Sequence, residues 1–430
     1  MDFRAPKGTE DLLPDAARAW ERLAGIAQEL FSRYGYSPLY TPLFEHTEVF
    51  ARGIGDATDI VSKQMYTFLD KGEPPNSLTL RPEGTASAVR AAVQHNLVPQ
   101  GGLAKLYYMG PMFRYERPQK GRMRQFWQIG VEALGAFGPG IDAEVIALLM
   151  RFFQAAGIPF DSMRLLLNSM GDEACRPAYR ESIAGYIAEN VAHLCDECAR
   201  RAESNPLRAF DCKNAACVDV MSAAPVLRDR LCEECTVHFA AVKSCLDDLG
   251  IPYTEDSRLV RGLDYYTRTV FEVQVDAGLG SQNAIGGGGR YDRLTELFGG
   301  RPTPGLGFAL GFERTLLALA ALKVNMGAAL PVQVFVARVD ESVFQLAFSL
   351  AQRIRDCGLI AEIDHLDRSL KAQFKHADRL GARLTVVVGP AEAAEGKVTL
   401  RDMVTKAESR VAIEELSSAV IKLLNSSERV

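Results

Sequence analysis

Hydrophobic and polar positions recur along this chain with two periods, which together predict a mixture of helices and strands. Apolar residues return every three to four positions over residues 15–34, predicting an amphipathic helix. The prolines of residues 38–42 then predict extended backbone, because proline disfavours helix in the residue before it. Strand-like runs follow at residues 77–81, 105–109, 125–134 and 269–275.

The pattern changes twice more, and each change marks a boundary. Residues 171–254 are helical, charged and rich in cysteine, so we predict an insertion there. After a glycine-containing linker, strands and helices alternate and predict a small α/β domain. Its strands are expected at 332–339, 360–364, 383–389 and 397–402, and its helices at 341–357, 369–380 and 412–424. We therefore predict one domain over 1–325, interrupted by the insertion, and a second over 331–430.

Composition narrows the class of protein. The 430 residues are 47% hydrophobic and 24% charged, as in ordinary globular proteins. No run approaches the ~18 apolar residues of a membrane span, and the first residues lack the apolar stretch of a signal peptide, so we expect a cytoplasmic protein without membrane contact. The net charge of −5 disfavours a protein that coats nucleic acid nonspecifically, although a local basic patch can still bind phosphates.

Six of the nine cysteines cluster in the insertion: Cys195, Cys198, Cys212, Cys217, Cys232 and Cys235. Two C-x-x-C pairs among them are typical of a zinc site, because four thiolates can close a tetrahedron. Both pairs, however, lie in helix-like sequence without the glycine-containing turns of zinc knuckles. We therefore expect buried or idle thiols rather than a structural zinc ion, and we predict no catalytic metal site.

The densest chemistry lies between residues 110 and 132, where two strand-like runs flank a loop with five cations and one acid. Period-two alternation on the second strand places Trp127, Ile129 and Val131 on one face, and Gln128, Gly130 and Glu132 on the other. The second face is poor for packing and suited to holding a polar molecule. A solvated charge run is the alternative interpretation.

Two further peptides are candidates for ligand contact. Residues 261–266 read Arg-Gly-Leu-Asp-Tyr-Tyr, which joins a guanidinium, a carboxylate and two phenols, although a surface salt bridge would use the same residues. Residues 285–292 read Ile-Gly-Gly-Gly-Gly-Arg-Tyr-Asp and lack the G-x-G-x-x-G spacing of a dinucleotide loop. We expect these glycines to allow close backbone approach to a ligand, with a flexible turn as the alternative.

Taken in order, these segments resemble a known family. Gly35-Tyr-x-x-Leu-x-x-Pro42, Phe113-Arg-Tyr-Glu116 and the run from Gly305 to Arg314 resemble motifs 1, 2 and 3 of class II aminoacyl-tRNA synthetases. The peptides at 261–266 and 285–292 resemble the two that are peculiar to histidyl-tRNA synthetases. Residues 79–85 and 205–208 match as well, so the resemblance runs essentially end to end.

The resemblance implies an α+β catalytic domain with an antiparallel six-stranded sheet and flanking helices, and a C-terminal α/β domain that binds the anticodon. It implies a homodimer formed through motif 1, and a helical insertion that approaches the acceptor arm of tRNA. The implied reaction activates L-histidine with ATP and Mg²⁺ to histidyl-adenylate, releasing pyrophosphate. Histidine is then transferred to the 3′ end of tRNA(His), with release of AMP.

The resemblance also assigns residues. Activation brings together two anions, the histidine carboxylate and the α-phosphate, so positive charge is required there. Arg114 and Arg261 are implied as catalytic, and Arg114, Glu116 and Arg314 as ATP contacts. Neutral imidazole needs one acceptor and one donor, which Glu132 and Tyr266 supply. The implied histidine site comprises Glu83, Gly84, Thr85, Arg114, Gln128, Glu132, Arg261, Tyr265, Tyr266 and Tyr291. Gln119, Arg122 and Arg124 are the implied contacts to the tRNA acceptor end.

Two other functions fit parts of this pattern. A noncatalytic paralogue, such as a regulatory subunit of ATP phosphoribosyltransferase, would keep the fold and bind a regulator. The presence of Arg114, Arg261, Glu132 and Arg314, and of a domain after motif 3, disfavours it. A class II synthetase for proline, threonine or glycine would share the terminal domain, but the Tyr265-Tyr266 and Gly-Arg-Tyr-Asp peptides disfavour that alternative.

Overall fold

The structure is a computed structural model that describes residues 3–55, 58–204, 206–212, 214–260, 263–280, 283–326 and 332–427. It divides into two compact units, Met1–Ala328 and Ala329–Val430. Among the described residues, no helix combines the length and the apolar character needed to cross a bilayer.

An eight-stranded sheet organises the first unit. The strands of this unit are β1 Ser37–Pro38, β2 Phe44–His46, β3 Tyr66–Leu69, β4 Ser77–Leu80, β5 Ala104–Phe113, β6 Gln125–Leu134, β7 Met163–Ser169, β8 Thr254–Glu255, β9 Thr267–Val275, β10 Ala284–Arg290 and β11 Gly305–Gly311. The order in the large sheet is β1-β5-β6-β11-β10-β9-β7-β8. Its six central strands pair antiparallel throughout, which confirms the expected sheet. The two-residue strands β1 and β8 add parallel pairs at its edges, and β2, β4 and β3 form a separate small sheet.

Helices cover one face of the large sheet. The helices of this unit are α1 Pro14–Arg33, α2 Thr47–Ile54, α3 Thr85–Gln94, α4 Pro139–Ala156, α5 Arg176–Glu189, α6 Asp196–Ser204, α7 Ala215–Ser222, α8 Glu233–Asp248, α9 Leu294–Leu297 and α10 Phe312–Ala321. Helix α1 buries Trp20, Leu23, Ala27 and Phe31, one stripe at helical spacing, as the sequence predicts. This stripe, α4 and the apolar face of β6 share the main core. The opposite face of the sheet is not part of this main core.

The second unit is a five-stranded sheet with helices. Its elements are β12 Val334–Arg338, α11 Phe344–Asp356, β13 Ala361–Ile363, α12 Leu370–Arg379, β14 Leu384–Val388, α13 Pro390–Ala394, β15 Lys397–Asp402, β16 Glu408–Ala412 and α14 Leu416–Ser427. The strand order is β13-β12-β14-β15-β16, with β13, β12 and β14 parallel and the last two pairs antiparallel. The sequence prediction missed β16 and the short helix α13, because neither carries an apolar face at its own period.

Candidate active site

A row of small residues forms the floor of the site. On β6, Gln128 and Glu132 lie on the sheet face opposite the main core, and the strand register sets Gly311, Ala309 and Gly307 of β11 beside them. Residues paired across strands project to the same face, so no side chain larger than that of alanine projects from β11 at this position. The result is a cavity of about 470 Å³, within the range of ligand sites. The alternation predicted for β6 is therefore present.

Glu132 lies beneath this floor and is fully buried. The Tyr291 hydroxyl donates to its Oε2, and the Tyr108 hydroxyl donates to Oε1 at 3.2 Å. Burial raises the pKa of the Glu132 carboxyl to about 8, although these hydrogen bonds oppose the shift. A Cβ on Gly307 would lie 2.0 Å from Oε2, so the carboxylate position depends on that glycine.

Phenol rings line the wall above Glu132. The rings of Tyr265 and Tyr266 have centroids 4.7 Å apart, and those of Tyr265 and Tyr291 are 5.6 Å apart. All three line the cavity. Burial raises the pKa of the Tyr265 and Tyr291 hydroxyls, so both keep the proton that makes them donors.

Tyr108 is a site residue that the sequence interpretation missed. It pairs with Gly130 across β5 and β6, and a Cβ on that glycine would lie 2.3 Å from the Tyr108 ring. The signal was present in the Tyr107-Tyr108 pair, because period-two alternation sends one ring to the core and the other to the opposite face. Tyr107 belongs to the main core and Tyr108 to the site side.

Glu83 and Gln128, two of the predicted histidine contacts, differ in whether their side chains have hydrogen-bond partners in the described part of the chain. Glu83 accepts hydrogen bonds from the backbone N–H groups of Thr85 and Ala86 at 2.8 and 2.7 Å, so it closes the N-terminus of α3. Burial raises the pKa of Glu83. Gln128 Oε1, in contrast, is buried and has no hydrogen-bond partner within the described part of the chain. A buried acceptor of this kind is the type of group that a ligand satisfies.

Gly84 precedes α3 and brings its backbone close to the site. A Cβ there would lie 2.1 Å from the Tyr108 ring. The predicted contact at this position is therefore a backbone contact. Any larger residue would displace the ring that positions Glu132.

Guanidinium groups occupy another part of the wall. Arg114 Nε donates to the Pro82 carbonyl at 2.8 Å, and its guanidinium lies 5.2 Å from the Phe126 ring centroid. Arg314 donates to the carbonyls of Gly121 and Ala284 at 3.2 and 3.1 Å. Backbone carbonyls therefore hold both guanidinium groups in place at the cavity wall.

Burial lowers the pKa of both Arg114 and Arg314, which line the cavity. For Arg314, repulsion from Arg122 and Arg114 adds to the effect of burial, and for Arg114 repulsion from Arg122 does so. Glu116 lies 3.5 Å from Arg122 and offsets part of this charge. A wall on which guanidinium groups repel one another favours anionic ligands.

The three predicted tRNA contacts in the loop between β5 and β6 differ from one another in exposure and in their partners. Gln119 and Arg122 exchange backbone hydrogen bonds of 3.0 and 2.8 Å, with Gln119 exposed at the loop tip. Arg122 lines the cavity. The Arg124 guanidinium lies 4.1 Å from the Tyr115 ring centroid, and its Nε donates to the Glu116 carbonyl at 3.3 Å. Of the three residues, Gln119 is the one that the structure exposes.

The peptide 285–292 forms strand β10 and the turn after it rather than a flexible loop. Arg290 is fully buried on the core side, where it pairs with Asp142 and with Asp292 at 3.0 Å. His238 Nε2 also lies 2.9 Å from Asp142. Arg290 therefore holds the fold together, while Tyr291 reaches the site.

The peptide 261–266 is described from Leu263 onward, so Arg261 and Gly262 lie outside the described residues. Asp264 packs against the end of α2. Its backbone N–H donates to the Ile54 carbonyl at 3.2 Å, and a Cβ on Gly55 would lie 2.9 Å from its carboxylate. This contact fixes the entry of Tyr265 and Tyr266 into the site.

Comparisons with known proteins identify the family of this chain. A family model described as histidyl-tRNA synthetase matches residues 8–315, and an anticodon-binding-domain model matches residues 333–423. Histidine–tRNA ligase of Moorella thermoacetica is 50% identical over 396 residues, 92% of each chain. That of Anaeromyxobacter sp. strain K is 49% identical over 98% of this chain and all of the relative. The crystal structure of apo S. aureus histidyl-tRNA synthetase superposes with a TM-score of 0.82 at 38% identity, covering 97% of this chain and 100% of that chain. The chain belongs to the histidyl-tRNA synthetase family.

Proposed function

We propose a division of labour within this site for histidine–tRNA ligation, the reaction that the family carries out. The histidine carboxylate attacks the α-phosphorus of ATP, a carboxyl–phosphate bond forms, and pyrophosphate leaves. A terminal hydroxyl of tRNA(His) then attacks the activated carbonyl and AMP leaves. The observation that carries this proposal is Glu132, a carboxylate held by two phenols below a cavity whose wall also presents guanidinium groups.

The phenol and carboxylate groups recognise the imidazole ring. Glu132 accepts the ring N–H, directly or through a phenol hydroxyl, and Tyr266 donates to the bare ring nitrogen. Tyr265 and Tyr291 enclose the ring. A site of this kind leaves buried polar groups unpaired when a side chain without both functions enters, which discriminates by about 10⁴ to 10⁵ without editing.

The α-amino and carboxylate ends of histidine lie toward Gln128 and the arginines. Along β6, the four residue steps from Gln128 to Glu132 span ~13 Å, which matches an amino acid joined to a phosphate. The unpaired Gln128 Oε1 accepts from the α-ammonium. Glu83 and Thr85 add charge and hydrogen bonds on the same side.

Positive charge at the reacting phosphate comes from arginine. Arg114 contacts both the carboxylate and the α-phosphate, and Arg261 approaches the α-phosphate from the other side. Arg314 binds the γ-phosphate and Glu116 completes the ATP site. Fixed guanidinium groups stabilise the charge that develops in transfer without any reorganisation.

Magnesium fits the donors on the ATP side of the cavity. Glu116 and Glu272 both line it, and carboxylate oxygens are the ligands that Mg²⁺ prefers. These residues would hold magnesium that arrives with ATP. The ion, when bound, neutralises charge on the outer phosphates.

The remaining proposals concern partners. Gln119, Arg122 and Arg124 meet the acceptor end of tRNA(His). A homodimer forms through motif 1 and the adjoining small sheet, where Tyr40, Phe44 and Leu69 are 78%, 49% and 65% exposed. Exposed apolar side chains grouped in this way mark protein interfaces. A monomeric mass in analytical ultracentrifugation at assay concentration would contradict the dimer.

Arg261→Ala tests the division of labour. We expect histidine-dependent ATP–pyrophosphate exchange to fall by about 10²- to 10³-fold, as for loss of one donor to a developing charge. Arg261→Lys should also be slow, because an ammonium does not reproduce the guanidinium fork. Binding of tRNA(His) should be unchanged in both variants.

Arg258→Ala is the matched control, since Arg258 is an exposed neighbour on the same segment. It should exchange at the wild-type rate. Near-normal exchange by Arg261→Ala would remove the proposed role of that arginine.

A further inference from the structure

The insertion brings seven cysteines and one aspartate together in two separate groups. The first, called cluster A, comprises Cys195, Cys198, Cys212 and Cys217, and the second, called cluster B, comprises Asp172, Cys175, Cys232 and Cys235. Within each cluster the four ligand atoms lie within 4.8 Å of one another. The six cysteines that look like one group in the sequence are thus divided between two sites, and each site has four ligands.

The spacing of these atoms is that of a tetrahedral metal site. Four sulfurs at ~2.3 Å from a zinc ion lie ~3.8 Å apart, and a sulfur and an oxygen lie ~3.5 Å apart. In cluster A, the sulfurs of Cys195 and Cys212 are 3.9 Å apart. In cluster B, Cys175 Sγ lies 3.3 Å and Cys232 Sγ 3.8 Å from Asp172 Oδ1. Disulfide sulfurs, in contrast, lie ~2.05 Å apart.

Both clusters repeat one local arrangement. Cys195 directly precedes α6 and Cys198 lies in its first turn, while Cys232 caps α8 and Cys235 lies in its first turn. Each C-x-x-C pair therefore straddles the start of a helix, where the helix dipole favours thiolate. On sequence alone, zinc is disfavoured because both C-x-x-C pairs lie in helix-like sequence. That objection holds for pairs inside a helix, whereas these two pairs lie at the start of one.

Backbone hydrogen bonds to sulfur also recur. The Cys195 N–H donates to Cys217 Sγ at 3.2 Å, and the Cys232 N–H donates to Cys175 Sγ at 3.1 Å. In each cluster, the backbone N–H of the first cysteine of the C-x-x-C pair donates to the sulfur of a cysteine outside that pair. Hydrogen bonds of this kind orient and stabilise metal-bound thiolates.

Cluster B is also attached to the catalytic sheet. Arg268 of β9 donates to Asp172 Oδ2 at 3.3 Å, and its backbone exchanges hydrogen bonds with Met170 and Gly171 at 2.6 and 2.7 Å. An arginine that donates to a ligating carboxylate is a typical outer partner of a metal ligand. Arg268 lies two residues after Tyr266, so cluster B anchors the start of β9, directly after that phenol.

The part of the insertion between Cys175 and Cys235 has a small core of its own, whereas α8 also packs into the main core through Phe239, Val242 and Leu246. Among the described residues this small core contains eleven buried side chains, and four of them are Cys175, Cys198, Cys217 and Cys235. A core this small supplies little stability without a disulfide or a metal. All nine cysteines are free thiols in the structure.

We propose that cluster A and cluster B each bind one zinc ion, with four protein ligands and no open coordination position. Three or four sulfur ligands in a tetrahedron select zinc among the common divalent ions. With every position filled by protein, both ions are structural.

Metal analysis of the full chain tests this proposal. Protein produced with zinc in the medium and then desalted should contain two zinc ions per chain by plasma mass spectrometry. Cys212→Ser and Cys232→Ser should each halve that content, because each removes one ligand from one cluster. Cys357→Ser, an exposed cysteine in the second unit, is the control and should keep both ions.

Cobalt exchange keeps the test decisive if a variant does not fold. The wild-type chain with Co²⁺ in place of zinc should show the intense visible absorption of tetrahedral cobalt with thiolate ligands, together with two cobalt ions per chain. Less than about a tenth of a zinc ion per wild-type chain after exposure to excess zinc would overturn the proposal. A zinc content that neither ligand substitution changes would also overturn it. Titration of fewer than nine thiols in metal-free protein, denatured without reductant, would do the same because it would show that some cysteines form disulfides.

Discussion

At the scale of single residues, Glu132 is the group on which we propose that recognition depends. It is a fully buried carboxyl group with two phenol partners and a pKa raised to about 8 by burial. The folded chain therefore binds a proton at this group that the unfolded chain releases near its ordinary pKa. Stability from this group is present below that ordinary value and is lost as pH rises toward 8.

Glu132→Gln should remove this pH dependence, because an amide does not titrate. Between pH 6 and pH 8 the wild-type chain should lose about 1–3 kcal/mol of unfolding free energy relative to Glu132→Gln. Urea unfolding of both proteins at the two pH values measures the difference. Parallel stability profiles would show that Glu132 titrates at an ordinary pKa.

Some of these site residues could be predicted from the sequence and others could not. Glu132 and Gln128 were found because their strand alternates so clearly between apolar and polar faces. Tyr108 was missed because its importance comes from its pairing with Gly130 on another strand, and strand register is a tertiary property. Arg290 stands beside Tyr291 in the same peptide, yet its role is structural because it pairs with a buried carboxylate on α4.

At the scale of elements, strands β6 and β14 were predicted within a few residues of their bounds, whereas β7, β10 and β11 were not predicted as strands. Strand β16 was missed because all five of its residues are exposed or only partly buried, so it has no period to detect. Register between strands was likewise beyond the sequence. It is register that sets Gly307 against Glu132 and so opens the cavity.

Gly307→Ala tests that close contact between β11 and β6. The added Cβ would lie 2.0 Å from Glu132 Oε2 and 2.3 Å from the Val131 carbonyl oxygen, so both the Glu132 carboxyl group and the pairing of β11 with β6 must shift. We expect KM for histidine to rise by about 10-fold or more and stability to fall by about 1–3 kcal/mol.

Gly25→Ala provides the matched control for the same change. Gly25 is exposed in the middle of α1 and a Cβ there meets nothing within 4 Å. It should leave KM for histidine unchanged and raise stability by up to about 1 kcal/mol. Equal effects of the two substitutions on KM would contradict the close-contact account.

At the scale of the whole molecule, we propose that the first unit carries out both chemical steps and that the second unit, which matches an anticodon-binding-domain model, adds tRNA binding. The second unit carries a mainly basic surface on α12, the end of β15 and the turn after it, where Asp378 lies among Lys371, Phe374, Lys375, Arg401 and Lys406. The Arg401 guanidinium lies 5.1 Å from the ring centroid of the half-buried Phe374. Cations beside an aromatic ring suit single-stranded RNA, whose bases stack and whose phosphates need positive charge.

Reversing two of these charges should separate the two steps. We expect Lys371→Glu/Lys375→Glu to raise KM for tRNA(His) by about 10-fold while ATP–pyrophosphate exchange, which needs no tRNA, stays unchanged. Arg410→Glu/Lys422→Glu changes the net charge equally at exposed positions outside this surface and should affect tRNA much less. Equal losses in both double variants would assign the effect to net charge alone.

Selective activation of histidine can be measured by ATP–pyrophosphate exchange of the full chain, with each of the twenty amino acids supplied in turn. We expect exchange with L-histidine to exceed exchange with every other amino acid by about 10⁴-fold or more. Absence of exchange with histidine, or comparable exchange with another amino acid, would show that this site does not select histidine.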